Sequence, residues 1–201
     1  MCRGYGYDRG QPIDRFYIEN FLAEHSPLIT GAVLEVGERT YTERFGTGVT
    51  RSDMLNYVDH DDATYVADLT DASEIPDNSY DCIIITQTLQ MIFDVRAAVT
   101  TMHRILKPGG VVLCTVPCIS QIADPAWTWY WGFTELALAR LLTESFSAEG
   151  VRGRGYGNVL SATSFLQGMS AREFSEQELA VVDPEYPVIV AAVARKIDVT
   201  P

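Results

Sequence analysis

The chain has 201 residues, 47% hydrophobic and 21% charged, the length and composition of one globular domain with a real core. Its 27 acidic residues against 15 Lys and Arg give a formal charge of −12, which argues against a nucleic-acid backbone or an anionic membrane surface as partner. No apolar run approaches the ~20 residues of a membrane span, and the N-terminus lacks the apolar stretch of a secretory signal.

The four cysteines, Cys2, Cys82, Cys114 and Cys118, form no C-x-x-C pair. The spacing points to free thiols in a reducing cytoplasm, with no disulfide framework and no metal site. Residues 1–11 hold three glycines and read as an arm or lid. Pro12 then opens a helix at its first position, with Ile13, Phe16, Tyr17, Phe21 and Leu22 at helical spacing and Pro27 as its stop. Two readings stay open for it: a cap on the sheet, or a closure in which Arg9, Asp14, Arg15 and Tyr17 meet a ligand.

Ala32-Val33-Leu34-Glu35-Val36-Gly37 reads as a buried strand closed by a backbone-exposing turn. Gly48 to Asp53 reads as a second strand ending in an acid, sixteen residues after Gly37. Doubly wound folds hold a ribose hydroxyl pair with an acid at about that distance. Thr64 to Leu69 reads as a third strand and Tyr80 to Ile85 as a fourth, apolar enough to be buried on both faces. Thr86-Gln87-Thr88-Leu89-Gln90 leaves its end. Asp94 caps a helix through Val99, Met102 and Leu106, and Pro108-Gly109-Gly110 stops it before a fifth strand, Val111 to Val116.

Residues 118–133 form a loop dense in aromatics, with Trp127, Trp129, Tyr130 and Trp131 read as the wall of a substrate pocket. Thr134 caps the next helix. Val151 to Gly155 is a short strand, Asn158 to Gln167 a helix with Gly168 as its C-terminal cap, and Ser175 to Glu178 a capping box. Val188 to Val193 is the last strand. The alternation of strands and helices predicts a doubly wound, Rossmann-like α/β sheet.

Between residues 30 and 146 the chain resembles the class I S-adenosylmethionine-dependent methyltransferases of the small, single-domain kind. The blocks that carry the resemblance are Val33-Leu34-Glu35-Val36-Gly37, Asp53, Ala67-Asp68-Leu69, Ile75 to Asp81, Leu106-Lys107-Pro108-Gly109-Gly110 and Trp131-Gly132-Phe133-Thr134. The resemblance implies a seven-stranded sheet, mostly parallel with an antiparallel last strand and helices on both faces. It implies one domain, with an arm and cap helix over 1–28, a cofactor-binding core over 30–118, substrate-side loops and helices over 119–187 and the final strand over 188–195. It implies S-adenosyl-L-methionine as cofactor, held by Glu35, Gly37, Thr40, Thr42, Asp53, Asp68, Leu69, Thr86, Gln87 and Tyr17. In that scheme Asp53 takes the ribose, Asp68 and Leu69 the adenine, and Thr86 or Gln87 lies near the transferred methyl.

The family usually reads E-x-G-x-G-x-G at the first turn. Here Arg39 and Tyr41 stand where the later glycines would, so Thr40 and Thr42 are expected to supply polar contacts in their place. The implied function is methylation of a small organic acceptor, as O-methylation of a sugar, natural-product or carboxylate group. The competing reading is a methyltransferase-fold binding or regulatory domain without catalysis. No catalytic base is assigned: His25, His60 and His103 are poor candidates, and Asp94 and Tyr130 are placed near the pocket only by the resemblance. The expected partner is a small molecule, with a homodimer possible and no metal.

Overall fold

In a computed structural model, residues 2–122 and 128–197 are described. Seven strands form one sheet in the order β3-β2-β1-β4-β5-β7-β6. The strands are β1 (Gly31–Val36), β2 (Val49–Asn56), β3 (Tyr65–Val66), β4 (Tyr80–Thr86), β5 (Leu106–Pro117), β6 (Val151–Tyr156) and β7 (Ile189–Arg195). All neighbours pair in parallel except β7, which runs antiparallel to both β5 and β6. The expected Rossmann-like sheet with an antiparallel last strand is therefore present.

The strands alternate between two cores because successive side chains point to opposite faces. Leu34, Ile83, Ile85, Val112 and Cys114 pack on one face with helices α3 (Val95–Ile105) and α4 (Glu135–Leu142). Val33, Cys82, Ile84, Val111 and Leu113 pack on the other with α1 (Ile13–Glu24), α2 (Thr40–Phe45), α5 (Val159–Leu166) and α6 (Glu176–Ala180). The central strands are largely apolar, with Glu35, Asp81 and Thr115 among the exceptions, because each face is covered by helices.

The caps fall where the sequence places them. The Asp94 carboxylate accepts from Ala97 N at the start of α3, and the Thr134 hydroxyl accepts from Ala137 N at the start of α4. Asn158 and Ser175 each form a reciprocal capping box, on α5 and α6. Such caps satisfy N–H groups that the first turn of a helix leaves without partners. Gly168 follows α5 with φ +70°.

Three local expectations are corrected. Pro12 precedes α1 with extended backbone and is not its first residue; the helix ends at Glu24, and Pro27 lies in the following 3-10 turn. The Lys107 to Gly110 run is an irregularity within β5: Leu106 pairs with Tyr80 and Val111 with Cys82, and Gly109 sits at φ +80°. β3 has two residues, so Asp68 and Leu69 lie beyond it in a turn.

Candidate active site at the ends of strands β1 and β4

The C-terminal ends of β1 and β4 open into a cleft of about 550 Å³, within the range of ligand pockets. Glu35, Val36, Gly37, Glu38, Thr40 and Tyr41 line one side of it. Thr86, Gln87, Thr88, Gln90 and Met91 line the other, and Ser120 and Trp129 join them from the loop after β5. Tyr5, Tyr7, Gly10, Gln11 and Pro12 of the arm contribute from the N-terminus, with Asp14, Arg15 and Glu19 of α1. An open α/β sheet binds ligands at this end of its strands.

Gly37 has φ +98°, and a Cβ built on it would meet nothing within 4 Å. The open space beyond β1 suits a ligand approaching the backbone. Glu35 shapes the turn that follows. Its carboxylate accepts from Tyr41 N at 3.1 Å, Thr42 N at 2.7 Å and Thr42 Oγ1 at 2.7 Å. Burial pushes its pKa up, against the pull of the Thr42 and Tyr41 hydrogen bonds. Thr42 is thus a buried support of Glu35 and does not line the cleft, whereas Thr40 lines it and donates to Glu38 at 3.0 Å.

The arm is pinned against the C-terminal half. Gly6, at φ +95°, lies against the Met169 carbonyl, where an added Cβ would stand 2.7 Å from the oxygen. Arg9 pairs with Glu173, Ala171 N donates to Gln11 O at 2.8 Å, and Pro12 bridges Ser170. From α1, Arg15 donates to Tyr7 Oη at 3.0 Å and to Tyr41 Oη at 2.9 Å, tying arm, α1 and α2 together over the cleft. Burial works against its charge, but Asp14 and the two tyrosines outweigh it and hold the guanidinium protonated. Burial pushes the Asp14 carboxyl above the usual range, opposed by the Arg15 charge.

Of the residues expected from sequence, Glu35, Gly37, Thr40, Thr86, Gln87 and Trp129 come together in the cleft. Others do not. The expected end of the second strand at Asp53 is corrected by the length of β2. The strand continues through Met54 and Leu55 to Asn56, so Asp53 lies three residues before its end, roughly 10 Å back along the strand. Its carboxylate accepts from Tyr80 Oη at 2.7 Å and pairs with Arg51 Nε at 3.0 Å. The residue at the end of β2 is Asn56, whose Nδ2 donates to Gly37 O at 3.3 Å.

Asp68 is exposed, and its carboxylate accepts from Thr70 N and Thr70 Oγ1. Leu69 is a core residue, and Tyr17 is buried with its hydroxyl donating to Leu179 O at 2.9 Å. Tyr130 and Trp131 turn outward onto Phe93, with ring centroids 5.3 Å and 5.8 Å away. Trp127 lies outside the described residues. None of the three histidines lines the cleft, nor does Asp94. The four cysteines are free thiols, and no cluster of metal-ligating side chains occurs among the described residues.

Sequence reasoning missed Tyr5 and Tyr7 as cleft residues and did not single out Gln90 from the segment that leaves the fourth strand. Tyrosines in a glycine-rich arm were the available signal for the first two. Gln90 had no local signal, because its burial is set by the loop after β5: its backbone carbonyl accepts from Tyr130 N and Trp131 N.

Residues 40–114 match the family model described as a methyltransferase domain. The ubiquinone/menaquinone biosynthesis C-methyltransferase UbiE of Hahella chejuensis is 33% identical over 82 residues, covering 38% of this chain and 33% of that protein. The aligned segments span between a fifth and about a third of the length of the curated relatives. Among solved structures, a SAM dependent methyltransferase from Archaeoglobus fulgidus superposes with a TM-score of 0.60 at 14% identity, over 90% of this chain and 94% of that one. The N-methyltransferase NodS from Bradyrhizobium japonicum, in complex with S-adenosyl-L-homocysteine, superposes with a TM-score of 0.57 at 14% identity, over 94% and 89%. The chain thus has the fold of these methyltransferase structures, and its residues 40–114 carry the match to the methyltransferase domain.

Proposed function

We propose that the protein methylates a small organic acceptor in the cleft between β1 and β4, and that the methylated atom is an oxygen. The observation that carries the reading is the cleft itself. It has open space over Gly37, a charged wall at α1 and an uncharged wall at β4. When bound, S-adenosylmethionine supplies an already activated methyl carbon, so positioning does most of the work.

The charged wall fits an amino-acid zwitterion. Arg15 Nη2 makes no hydrogen bond among the described residues and is free to donate to a carboxylate. Among the described residues, Asp14 is the cleft acid whose carboxylate accepts only a backbone N–H, from Arg15, and it is placed to receive the ammonium. Glu19 is held by Gln11 and Arg44, and Glu35 by Thr42. Glu35 therefore acts by holding the turn, and the methionine end is read by the Asp14–Arg15 pair. The cytoplasm is the matching compartment, where the four thiols stay reduced.

Isothermal titration with S-adenosylhomocysteine tests the reading. Saturable micromolar binding is expected. No binding at millimolar ligand would leave a non-catalytic domain as the better description.

A further inference from the structure

The β4 side of the cleft holds a buried polar atom without a partner among the described residues. Gln90 is 2% exposed, on the short 3-10 turn Leu89–Met91, and lines the cleft. Its Nε2 donates to the Gln87 carbonyl at 2.7 Å. That bond fixes the orientation of the amide, because flipping it would set oxygen against oxygen. The other end, Oε1, is buried and accepts no hydrogen bond among the described residues. Buried side-chain oxygens are nearly always paired, so an orphan at a ligand cleft marks a place where the ligand supplies the donor.

The backbone beside it is strained toward the same end. Gln87 has φ +48°, a left-handed conformation that non-glycine residues rarely adopt and that clusters at ligand sites. The turn is held by Gln87 N donating to Thr115 O at 2.8 Å. It brings the Gln87 carbonyl to the Gln90 amide and so orients the unpaired oxygen. The surrounding wall is Thr86, Gln87, Thr88, Met91, Ser120 and Trp129, none of them charged. A carboxylate acceptor would find no cation on this side. A cationic one would find no acid. An aromatic surface beside neutral amides and hydroxyls suits an uncharged ring that carries hydroxyls.

We propose that Gln90 is the specificity residue for the acceptor: its buried Oε1 accepts a hydrogen bond from a hydroxyl of an uncharged, hydroxyl-bearing ring set against Trp129. The inference rests on the methyltransferase reading above and narrows its acceptor class. A site built to pair a substrate hydroxyl discriminates strongly against an analogue lacking it, because the protein oxygen is then left buried and unpaired.

The test uses the full chain saturated with S-adenosylhomocysteine and three probes followed by saturation-transfer NMR. The probes are methyl α-D-glucopyranoside, its tetra-O-methyl derivative and cyclohexanecarboxylate. The free-hydroxyl glycoside is expected to bind saturably, at least tenfold tighter than either other probe. Gln90→Met is expected to weaken the glycoside at least tenfold while leaving S-adenosylhomocysteine affinity within twofold. Equal binding of the tetra-O-methyl probe, preference for the carboxylate, or no saturable glycoside binding overturns the proposal from the wild-type protein alone, whether or not the variant folds. An unchanged glycoside affinity in Gln90→Met overturns it as well. Failure of S-adenosylhomocysteine itself to bind overturns the methyltransferase reading and this inference with it.

Discussion

Asp53 and Tyr80 offer the sharpest perturbation, because the structure gives Asp53 a different role from the one its sequence position suggests. Tyr80 is fully buried, and its hydroxyl donates to Asp53 Oδ2 at 2.7 Å across two strands separated by β1. Arg51 completes the group, pairing with the same carboxylate at 3.0 Å and lying 4.9 Å above the Tyr80 ring. A hydrogen bond to a charged group contributes roughly 1.5–3 kcal/mol. Tyr80→Phe removes only the hydroxyl and leaves the ring packed, so a loss of about 2 kcal/mol is expected. For a chain of this length each kcal/mol moves the melting temperature by roughly 2–4 °C, giving a drop of about 4–8 °C. Asp53→Ala should cost at least as much, because it also strands a buried tyrosine hydroxyl. Urea unfolding followed by circular dichroism measures both. In the same variants, S-adenosylhomocysteine affinity should stay within twofold of wild type. The reasoning fails if Asp53→Ala weakens that ligand fivefold or more while stability is unchanged, since Asp53 would then be a ligand group and not a strut.

The remaining predictions concern the cap, the arm and the base of the sheet. Arg15→Met should weaken S-adenosylhomocysteine about tenfold, or ~1.4 kcal/mol, in a calorimetric titration, and an unchanged Kd would remove Arg15 from the site. Because burial holds the Asp14 pKa above the ordinary carboxylate range, the free protein keeps its proton there to higher pH, and ligand binding to the ionised form should tighten as pH rises through that raised value and then level off. Asp14→Asn should flatten this dependence, and a slope that survives the substitution argues for another group. Asp81 has the opposite sign. Burial raises its pKa, but the Lys107 hydrogen bond at 2.7 Å, the Ala32 N–H at 2.8 Å and the charges of Lys107 and Arg51 lower it further. Its contribution is therefore complete above the unfolded carboxylate pKa and is lost as pH falls through the lower folded value, so Asp81→Asn should shallow the acid limb of a stability–pH curve. Gly6→Ala places a Cβ against the Met169 carbonyl at positive φ, a conformation that costs roughly 1–2 kcal/mol by itself, and should make the arm more sensitive to limited proteolysis.

Much of the fold is legible in the chain because it is written locally. The runs at 82–85 and 189–194 are continuously apolar, and those at 32–36 and 111–116 are broken only by Glu35 and Thr115, where a strand is covered on both faces. Capping residues at Asp94, Thr134, Asn158 and Ser175 mark helix starts through bonds to residues three positions on. The site is less legible because its determinants are not local. An acid within an amphipathic run looks like the end of a strand, and only Tyr80, twenty-seven residues away, shows why Asp53 can stay inside β2. The apolar pair Met54-Leu55 after it was the signal that the strand continues. Likewise the three aromatics 129–131 look equivalent in sequence, yet Trp129 lines the cleft while Trp131 donates its indole N–H to Ile92 O at 2.9 Å and turns away.

The missing glycines of the first turn have a structural replacement. In a glycine-rich turn the backbone itself bends close to the ligand. Here α2 begins at Thr40, three residues after Gly37, and its first N–H groups are satisfied by Glu35 from the end of the strand before it. The turn is thus closed by a buried carboxylate, and only Gly37 needs a left-handed conformation in it. Tyr41, which a conformational argument would exclude from a ligand turn, is usable because its ring leans out to receive Arg15 and join the cap. The turn held by Glu35 and the Tyr7–Arg15–Tyr41 tie therefore form one wall of the cleft, built from side chains of β1, α1, α2 and the arm.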